Sequence, residues 1–405
     1  MNKGKNDETR AARHRRRRQQ HDGVDPSEHL EDERDFTGGA IFSLPKTVGS
    51  TGDKELDAKI RELVAEWDCG DENPLIEEMI ITALRIGKDQ LGEADLKLFN
   101  RALKEMRSGS RVFAPYASER KVSVFGSART HPDQPEFEAA RSFSERMSKE
   151  GFMTITGAGD GIMGAAQLGA GRENGFGLNI RLPFEQSANE TIDGDPKLVT
   201  YNYFFTRKLA FVKEADAVAL FPGGFGTMDE GFEVLTLIQT GKASVFPIVM
   251  VDAPGGSYWK TFTQFLKEHL LRLGLISPED FNLFKVTDSV DEAVEEILHF
   301  YSNFHSYRFV RDIMVVRMHH GISEEDVATL NREWKDLLVD GEFTCCDMHP
   351  EEANETHLFG MPRLSFKVKR GKAGRIRQLI DFINNAGPGD PNCPIRPSDG
   401  EIEEG

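Results

Sequence analysis

The chain has 405 residues and a formal net charge of −17 at pH 7. This length gives room for two or three domains with sizeable cores, and the acidic balance argues against a nucleic-acid-binding protein, since neutralising phosphates requires a basic face. No apolar run reaches the length of a membrane span, and the N-terminus lacks the apolar centre of a secretory signal. The four cysteines form no C-x-x-C pair, which favours a reducing cytoplasm over a disulfide framework.

The first 52 residues are polar and charged and contain few aliphatic side chains. Such a segment buries too little surface to offset its chain entropy, so we predict a disordered tail over residues 1–52. Its basic run, residues 15–18, is interpreted as solvated, with contact to RNA or to an acidic partner as the alternative. Residues 53–110 repeat apolar side chains at spacings of three and four, which predicts an antiparallel pair of helices.

Within residues 111–304, short β-branched runs alternate with helical patterns. This alternation predicts an α/β fold, a Rossmann-like, doubly wound parallel sheet with helices on both faces. After residue 305 the alternation loosens, and residues 305–386 predict a small C-terminal α+β appendage in which Ser323 caps a helix. Residues 387–405 are rich in proline and predict a second loose tail.

Glycine-containing stretches follow three of the predicted strands. Ligands of such sheets bind beyond the carboxyl ends of the strands, so we expect these stretches to line one pocket. The second stretch does not match the dinucleotide fingerprint, because Ile162 stands where the third glycine is required, and it is interpreted as a wall of a mononucleotide pocket. The residues concerned are Gly126 and Ser127 after the first strand, Gly157, Gly159 and Gly161 after the second, and Gly223 and Gly224 after the fifth.

The stretch PGGFGTMDE, residues 222–230, places three glycines and Thr227 at the start of a predicted helix. Free backbone N–H groups and the positive end of a helix dipole make such a helix start a natural phosphate site. Glu230 lies one turn after Thr227 on the same face, and a carboxylate this close to a phosphate indicates that it holds another part of the same ligand, such as the sugar. A plain strand-to-helix turn with acids in its first turn is the alternative.

A second misfit lies in YFFTRKLAF, residues 203–211, where Thr206 is the predicted N-cap of a helix. Arg207 and Lys208 would then lie in its first turn, where the helix dipole disfavours cations. Because local misfits of this kind often mark functional sites, Arg207 becomes a candidate for contacting a phosphate or a base. A surface pair that points away is the alternative.

Two other groups of residues carry weaker signals. His319, His320, Cys345, Cys346 and His349 lack the spacing of a structural zinc site, so no metal is predicted. The basic stretch 367–377 is interpreted as a solvated face, with a site for an anionic effector as the alternative.

Taken together, PGGFGTMDE, the Arg207-Lys208 pair, VFGSAR and GAGDGIMGAA resemble the LONELY GUY family of cytokinin-activating phosphoribohydrolases, over roughly residues 120–300. GLNIRLPFEQSAN is similar to its longer bacterial branch, which also contains nucleoside-monophosphate hydrolases and is often labelled lysine decarboxylase. The resemblance implies a Rossmann-like fold, a homo-oligomer with active sites near the subunit interface, and neither metal nor cofactor. No lysine here stands out as a pyridoxal Schiff-base residue.

The resemblance also implies residue roles. Arg207 and Glu230 would be the catalytic pair, and a substrate-binding glutamate of plant-type members would correspond to Glu185, Asn189 or Glu190, with the register open. The implied activity is hydrolysis of a purine nucleoside 5′-monophosphate, AMP or an N6-substituted AMP, to free base and ribose 5-phosphate. A non-catalytic nucleotide-binding regulator with the same pocket is the alternative. The substrate site would be lined by Lys208, Gly223, Gly224, Phe225, Gly226, Thr227, Met228, Asp229 and Thr236.

Overall fold

The computed structural model describes residues 49–67, 73–182, 187–352, 355–387 and 389. These fall into two compact units, one ending at residue 85 and one beginning at residue 86. Within the described ranges no helix is both long and apolar enough to cross a membrane. Nearly all of both predicted tails lies outside these ranges, but Ser50 and Thr51 of the first tail hydrogen-bond to the carboxylate of Asp57.

Between residues 49 and 120, as far as they are described, the structure has three α-helices and not the predicted pair: α1 (Lys54–Glu66), α2 (Asn73–Lys88) and α3 (Glu93–Phe113). Asp53 caps α1 by accepting hydrogen bonds from two backbone N–H groups of its first turn. In the first unit, Ile60, Val64 and Ile81 pack into a small core of their own. The helix α3 lies in the second unit and buries Ala102, Glu105, Gly109 and Phe113, at helical spacing, along one face.

The second unit contains a seven-stranded sheet in the order β4-β3-β2-β1-β5-β6-β7, and every neighbouring pair is parallel. The predicted doubly wound parallel sheet is therefore confirmed. Most strand residues are buried, as expected for a sheet covered on both faces. The strands are β1 (Lys121–Phe125), β2 (Met153–Thr156), β3 (Gly175–Ile180), β4 (Leu198–Tyr201), β5 (Ala217–Leu220), β6 (Ile248–Val251) and β7 (Phe284–Thr287), the last of which was not predicted.

The helices of this layer connect successive strands. Most match predicted helical patterns, although α8 continues as a π-helical segment, Leu266–Leu271. They are α4 (Pro135–Lys149), α5 (Ile162–Asn174), α6 (Phe204–Lys213), α7 (Phe225–Gln239), α8 (Tyr258–Phe265) and α9 (Val290–Phe300).

The strand order reverses between β1 and β5, which are paired at the centre of the sheet. The chain runs outward from β1 to β4, returns to β5 and runs outward again to β7. The loops that follow β1 and β5 therefore lie side by side, and the Ser127 N–H donates a hydrogen bond of 3.1 Å to the Pro222 carbonyl. Ligands of doubly wound sheets bind at such a switch point.

The C-terminal part forms an antiparallel sheet in the order β10-β11-β9-β8, with two helices. Ser323 caps the first of these in a capping box with Asp326, as predicted. The apolar residues of this C-terminal part form one continuous core with those of the parallel sheet. The Tyr307 hydroxyl accepts a buried hydrogen bond from the Val245 N–H. The elements are β8 (Phe304–Val310), β9 (Ile313–Met318), α10 (Glu324–Glu333), β10 (Thr344–Cys346), β11 (Arg363–Lys367) and α11 (Ala373–Asn385).

Candidate active site

The glycine loop after β5 leads directly into α7, which begins at Phe225 with Gly224 as its N-cap. No side chain caps this helix start, so its first backbone N–H groups lack a side-chain partner. Gly223 is required by close packing, since a Cβ there would lie 2.1 Å from the Thr227 Oγ1. Phe225 is 97% exposed at the mouth. Because α7 begins at Phe225, its first turn contains no acid, and Asp229 lies in the second turn.

The loops after β1 and β2 interlock beside this helix start. The Ile162 N–H, at the start of α5, donates a hydrogen bond of 3.0 Å to the Ser127 carbonyl. Gly161 has a φ of +61°, and a Cβ there would meet the same carbonyl at 2.3 Å. The glycine stretches after β1, β2 and β5 are thus brought together, as the sequence predicts.

Asn189 fixes the glycine loop after β2. Its backbone N–H donates to the Ala158 carbonyl at 2.9 Å, and its side-chain amide donates to the Gly159 carbonyl at 3.0 Å. Ala158 has a φ of +62°, a left-handed conformation that these hydrogen bonds help to hold. Of the three residues considered for the substrate-binding glutamate, Glu185 lies outside the described residues.

Glu230 lies on the buried face of α7, one turn after Thr227, and is 5% exposed. Two cations approach its carboxylate: the Arg207 Nη2 at 3.7 Å and the Lys208 Nζ at 3.4 Å. Burial raises the pKa of Glu230, and the two cations only partly oppose this effect. The nearby carboxylates of Glu233 and Asp229 raise the pKa further.

Lys208 is held by three carboxylates of α7. Besides Glu230, its Nζ lies 2.5 Å from the Glu233 Oε2 and 2.9 Å from the Asp229 Oδ2. Burial alone would lower the pKa of Lys208, but the carboxylates outweigh it and raise the pKa. Lys208 is therefore a fixed positive charge that joins α6 to α7.

Arg207 lies between the glycine loop after β2 and Glu230. Its guanidinium lies 5.2 Å from the ring centre of Phe204 and 5.6 Å from that of Phe211. A Cβ placed on Gly157 would lie 3.8 Å from the Arg207 Nη1. The Nε of Arg207 is buried and has no hydrogen-bond partner within the described ranges. Burial lowers the pKa of Arg207, with Glu230 and Asp229 opposing the shift.

Two local expectations are wrong. Thr206 is not an N-cap: α6 begins at Phe204 after Tyr203, and the Thr206 hydroxyl instead donates to the Glu105 carboxylate. Arg207 and Lys208 therefore lie in the second turn of α6, not the first.

Other predicted site residues lie around this centre. Thr236 is exposed and lines an open depression with Lys208 and Asp229. Met228 packs against the hydrophobic core. Outside the predicted set, Glu105 of α3 contacts the start of α6. The only signal for it in the sequence is an acid on an apolar helical stripe.

The groups set aside in the sequence stay apart from the site. In the part of the chain that the structure describes, no three His, Cys, Asp or Glu residues are grouped so as to hold a metal. Much of the basic stretch 367–377 is paired: Lys367 with Asp312 and Asp340, Arg375 with Asp336, and Arg377 with Glu296 and Asp381.

Comparison with known proteins places residues 163–297 in the family model described as "possible lysine decarboxylase". A curated relative, the cytokinin riboside 5′-monophosphate phosphoribohydrolase of Mycobacterium tuberculosis, is 29% identical over 176 residues, which cover 43% of this chain and 90% of that protein.

Two solved structures are similar at low identity. The molybdenum cofactor binding protein of Rippkaea orientalis is 18% identical with a TM-score of 0.32, covering 44% of this chain and 94% of its own. The molybdenum cofactor carrier protein of Chlamydomonas reinhardtii is 16% identical with a TM-score of 0.31, covering 44% and 98%. Both TM-scores lie below 0.5, so neither likeness adds to the fold described above.

Proposed function

We propose that this protein is a phosphoribohydrolase of nucleoside 5′-monophosphates of the LONELY GUY type. Residues 163–297 match the family model described above, and the curated Mycobacterium tuberculosis relative is a cytokinin riboside 5′-monophosphate phosphoribohydrolase. Water would add to C1′ of the ribose as the bond from C1′ to the base nitrogen breaks, and the base would leave with a proton. The products are the free base and ribose 5-phosphate. The proposed substrate is AMP or an N6-substituted AMP, by analogy with the activity for which the Mycobacterium tuberculosis relative is named.

The observation that carries the proposal is the buried Glu230 beside two cations at the glycine loop. Breaking an N-glycosidic bond builds positive charge on the sugar, as in glycoside hydrolysis. A carboxylate fixed near C1′ stabilises that charge or orients the attacking water. The distances from Glu230 to Arg207 and Lys208 exceed the ~2.9 Å of a usual N–H···O hydrogen bond, so its oxygens stay available to a ligand.

The start of α7 supports binding of the 5′-phosphate. Its backbone N–H groups are uncapped, and the N-terminal end of a helix favours an anion. The buried Nε of Arg207 is a further donor that a phosphate or a base nitrogen would satisfy. Anchoring the phosphate here would fix the ribose relative to Glu230, which is one turn along the same helix.

We also propose a homo-oligomer. Phe204, Phe205 and Phe225 are exposed beside the site, and exposed aromatic clusters mark contact surfaces. A second subunit covering them would shield the site from bulk solvent.

The proposal is tested by incubating the protein with AMP, N6-isopentenyl-AMP, GMP and CMP and detecting free base by chromatography. Adenosine, which lacks the phosphate, serves as the matched poor substrate, and chelator is added in a parallel series. Release of adenine or its N6-substituted form, resistant to chelator, supports the proposal. Nucleotide binding without release of base from any of the four would favour the non-catalytic regulator instead.

A further inference from the structure

We propose that Glu105 of α3 is a positioning residue that aligns the Arg207–Lys208 pair with Glu230; this assignment rests on the proposed function. Glu105 lies outside the segment matched by the family model and about a hundred residues before the cations it would position. Its carboxylate contacts the turn between β4 and α6, and both cations are side chains of α6. Among the described residues, the hydrogen bonds of its carboxylate go to Asn202, Tyr203 and Thr206 and not to Glu230 or the glycine loop.

The carboxylate of Glu105 binds the turn that leads into the start of α6. Tyr203 occupies the N-cap position and makes no side-chain hydrogen bond to the helix. The Glu105 Oε1 accepts hydrogen bonds from the Asn202 N–H at 3.0 Å and the Asn202 side-chain amide at 2.7 Å. Its Oε2 accepts from the Thr206 hydroxyl at 2.7 Å and from the Tyr203 N–H at 3.4 Å.

The charge of Glu105 also suits its place at the start of α6. A carboxylate at the N-terminal end of a helix is favoured by the helix dipole. Glu105 is 6% exposed. Burial alone would raise its pKa, but the hydrogen bonds from Asn202, Thr206 and Tyr203 hold the pKa below its ordinary value. It is therefore a fixed anion at neutral pH.

Steric contact on the same face of α3 reinforces the carboxylate. Gly109 lies one turn after Glu105, and a Cβ there would lie 2.4 Å from the Tyr201 hydroxyl, so α3 approaches the end of β4 closely. Phe113, one further turn along, stacks on Phe176 of β3 at 4.4 Å between ring centres. Because α3 is held against the sheet at Gly109, Glu105 fixes the orientation of the first turns of α6. This orientation in turn sets the positions of Arg207 and Lys208.

The test compares Glu105→Gln with Glu352→Gln. Both residues are buried carboxylates that accept several hydrogen bonds, but Glu352 is bound by Arg317 and Arg363 in the C-terminal sheet. Three properties are measured for each variant: the thermal midpoint, kcat and KM for AMP, and amide hydrogen exchange of the peptide covering residues 202–206.

For Glu105→Gln we expect kcat/KM to fall about 10- to 100-fold, mostly in kcat, because small misplacements of reacting groups have effects of this size. Exchange should rise at residues 202–206. Glu352→Gln should lose thermal stability while keeping kcat within about twofold. If Glu105→Gln loses stability in the same way but keeps its kcat, Glu105 is only structural and the inference is overturned.

A second pair of variants decides the matter if Glu105→Gln fails to fold. Thr206→Val keeps the shape of the side chain but removes one hydrogen bond to Glu105, whereas Thr206→Ser keeps the hydroxyl. The inference requires a lower kcat in the valine variant and rescue in the serine variant; equal kcat in both overturns it.

The proposed function fails separately, if the wild-type protein releases no base from any nucleotide. Hydrogen exchange at residues 202–206 then decides the role of Glu105 alone: a rise confined to this peptide supports it, and no change overturns it.

Discussion

The guanidinium of Arg207 and the carboxylate of Glu230 lie 3.7 Å apart, and both side chains are mostly buried. They come from neighbouring helices that each begin at the carboxyl edge of the parallel sheet. At this distance the pair is an ion pair and not a close hydrogen bond, so each group keeps polar atoms for a ligand. The charge of Arg207 reduces the desolvation cost of burying the Glu230 carboxylate and leaves that carboxylate free to contact a ligand.

Replacing the carboxylate of Glu230 by an amide tests its role directly. Glu230→Gln should lower kcat for base release by at least about a hundredfold, because the charge acts on the transition state more than on bound substrate. AMP should still bind with near-normal affinity by titration calorimetry. The control is Glu268→Gln, at an exposed position of the π-helical segment that follows α8, and it should leave kcat unchanged. Near-normal turnover by Glu230→Gln would remove this residue from the mechanism.

The raised pKa of Glu230 should be visible in the pH dependence of kcat/KM. The ionised carboxylate is the active form, so activity should rise with pH through a pKa above that of an ordinary glutamate. Glu233 raises this pKa by like-charge repulsion. Glu233→Gln removes that charge and should move the acid limb to lower pH.

Glu268→Gln removes the same charge at a remote surface position and should leave the acid limb in place. A limb that stays put in both variants, or that moves to higher pH in Glu233→Gln, contradicts the assignment of the limb to Glu230. The measurement is kcat/KM for AMP between roughly pH 4 and pH 8, a range that begins near the ordinary pKa of a glutamate and extends above it.

A substitution at Gly226 tests separately whether this glycine is required for the stability of α7 or for binding of the phosphate. Gly226 lies at the second position of α7, and beyond its chain neighbours and the local helix backbone nothing lies within 4 Å of an added Cβ, so alanine should stabilise the helix by about 0.5–1 kcal/mol. Helical Cβ atoms point toward the N-terminus, which is where we place the phosphate. Gly226→Ala should therefore raise the thermal midpoint and also raise KM for AMP.

The matched control is Gly87→Ala in α2, which is equally open. It should raise the thermal midpoint without changing KM. An unchanged KM in Gly226→Ala would mean that the phosphate lies elsewhere.

Much of the α/β layer could be predicted because its signals are local. Alternating strand and helix patterns indicated six of its seven strands, and the three-residue spacing of Thr227 and Glu230 placed both on one helix face. Ser323 was recognised because a cap and its partner lie within one turn. The strand β7 was missed because FKVT contains a lysine and is mostly only half-buried, so it lacks the continuous apolar run of equally short strands such as AVAL and IVMV.

The contacts that set the site's geometry could not be predicted, since they join residues far apart in the chain. In the sequence, Glu105 resembles a surface acid of an amphipathic helix, but α3 packs on the end of β4 and buries it. Thr206 resembles an N-cap in the sequence, but its hydroxyl donates a hydrogen bond to the Glu105 carboxylate. Gly231 follows Glu230 in α7, and a Cβ there would lie 3.0 Å from the Leu220 Cδ1, so this glycine serves the packing of the helix on the sheet.

The C-terminal sheet should be required for folding, because it completes the core of the parallel sheet. The Tyr307 hydroxyl accepts from the buried Val245 N–H, and Arg377 of α11 pairs with Glu296 of α9 at 2.5 Å. Tyr307→Phe should lower the free energy of unfolding by about 1–3 kcal/mol, since it leaves the Val245 N–H buried without this acceptor. Urea unfolding of this variant measures the loss, with the m-value as the check on two-state behaviour.

Removing residues 306–405 tests the same dependence in full. The deletion strips Tyr307, Ile376, Leu379 and Ile380 from the continuous core and exposes the apolar residues they cover. We expect an aggregating or non-cooperatively unfolding product with no base release, measured by soluble fraction, near-ultraviolet circular dichroism and the AMP assay. Removing residues 1–48 is the matched control and should leave base release intact. A soluble, cooperatively folded 1–305 fragment with normal turnover would show that the parallel sheet folds and works without its C-terminal partner.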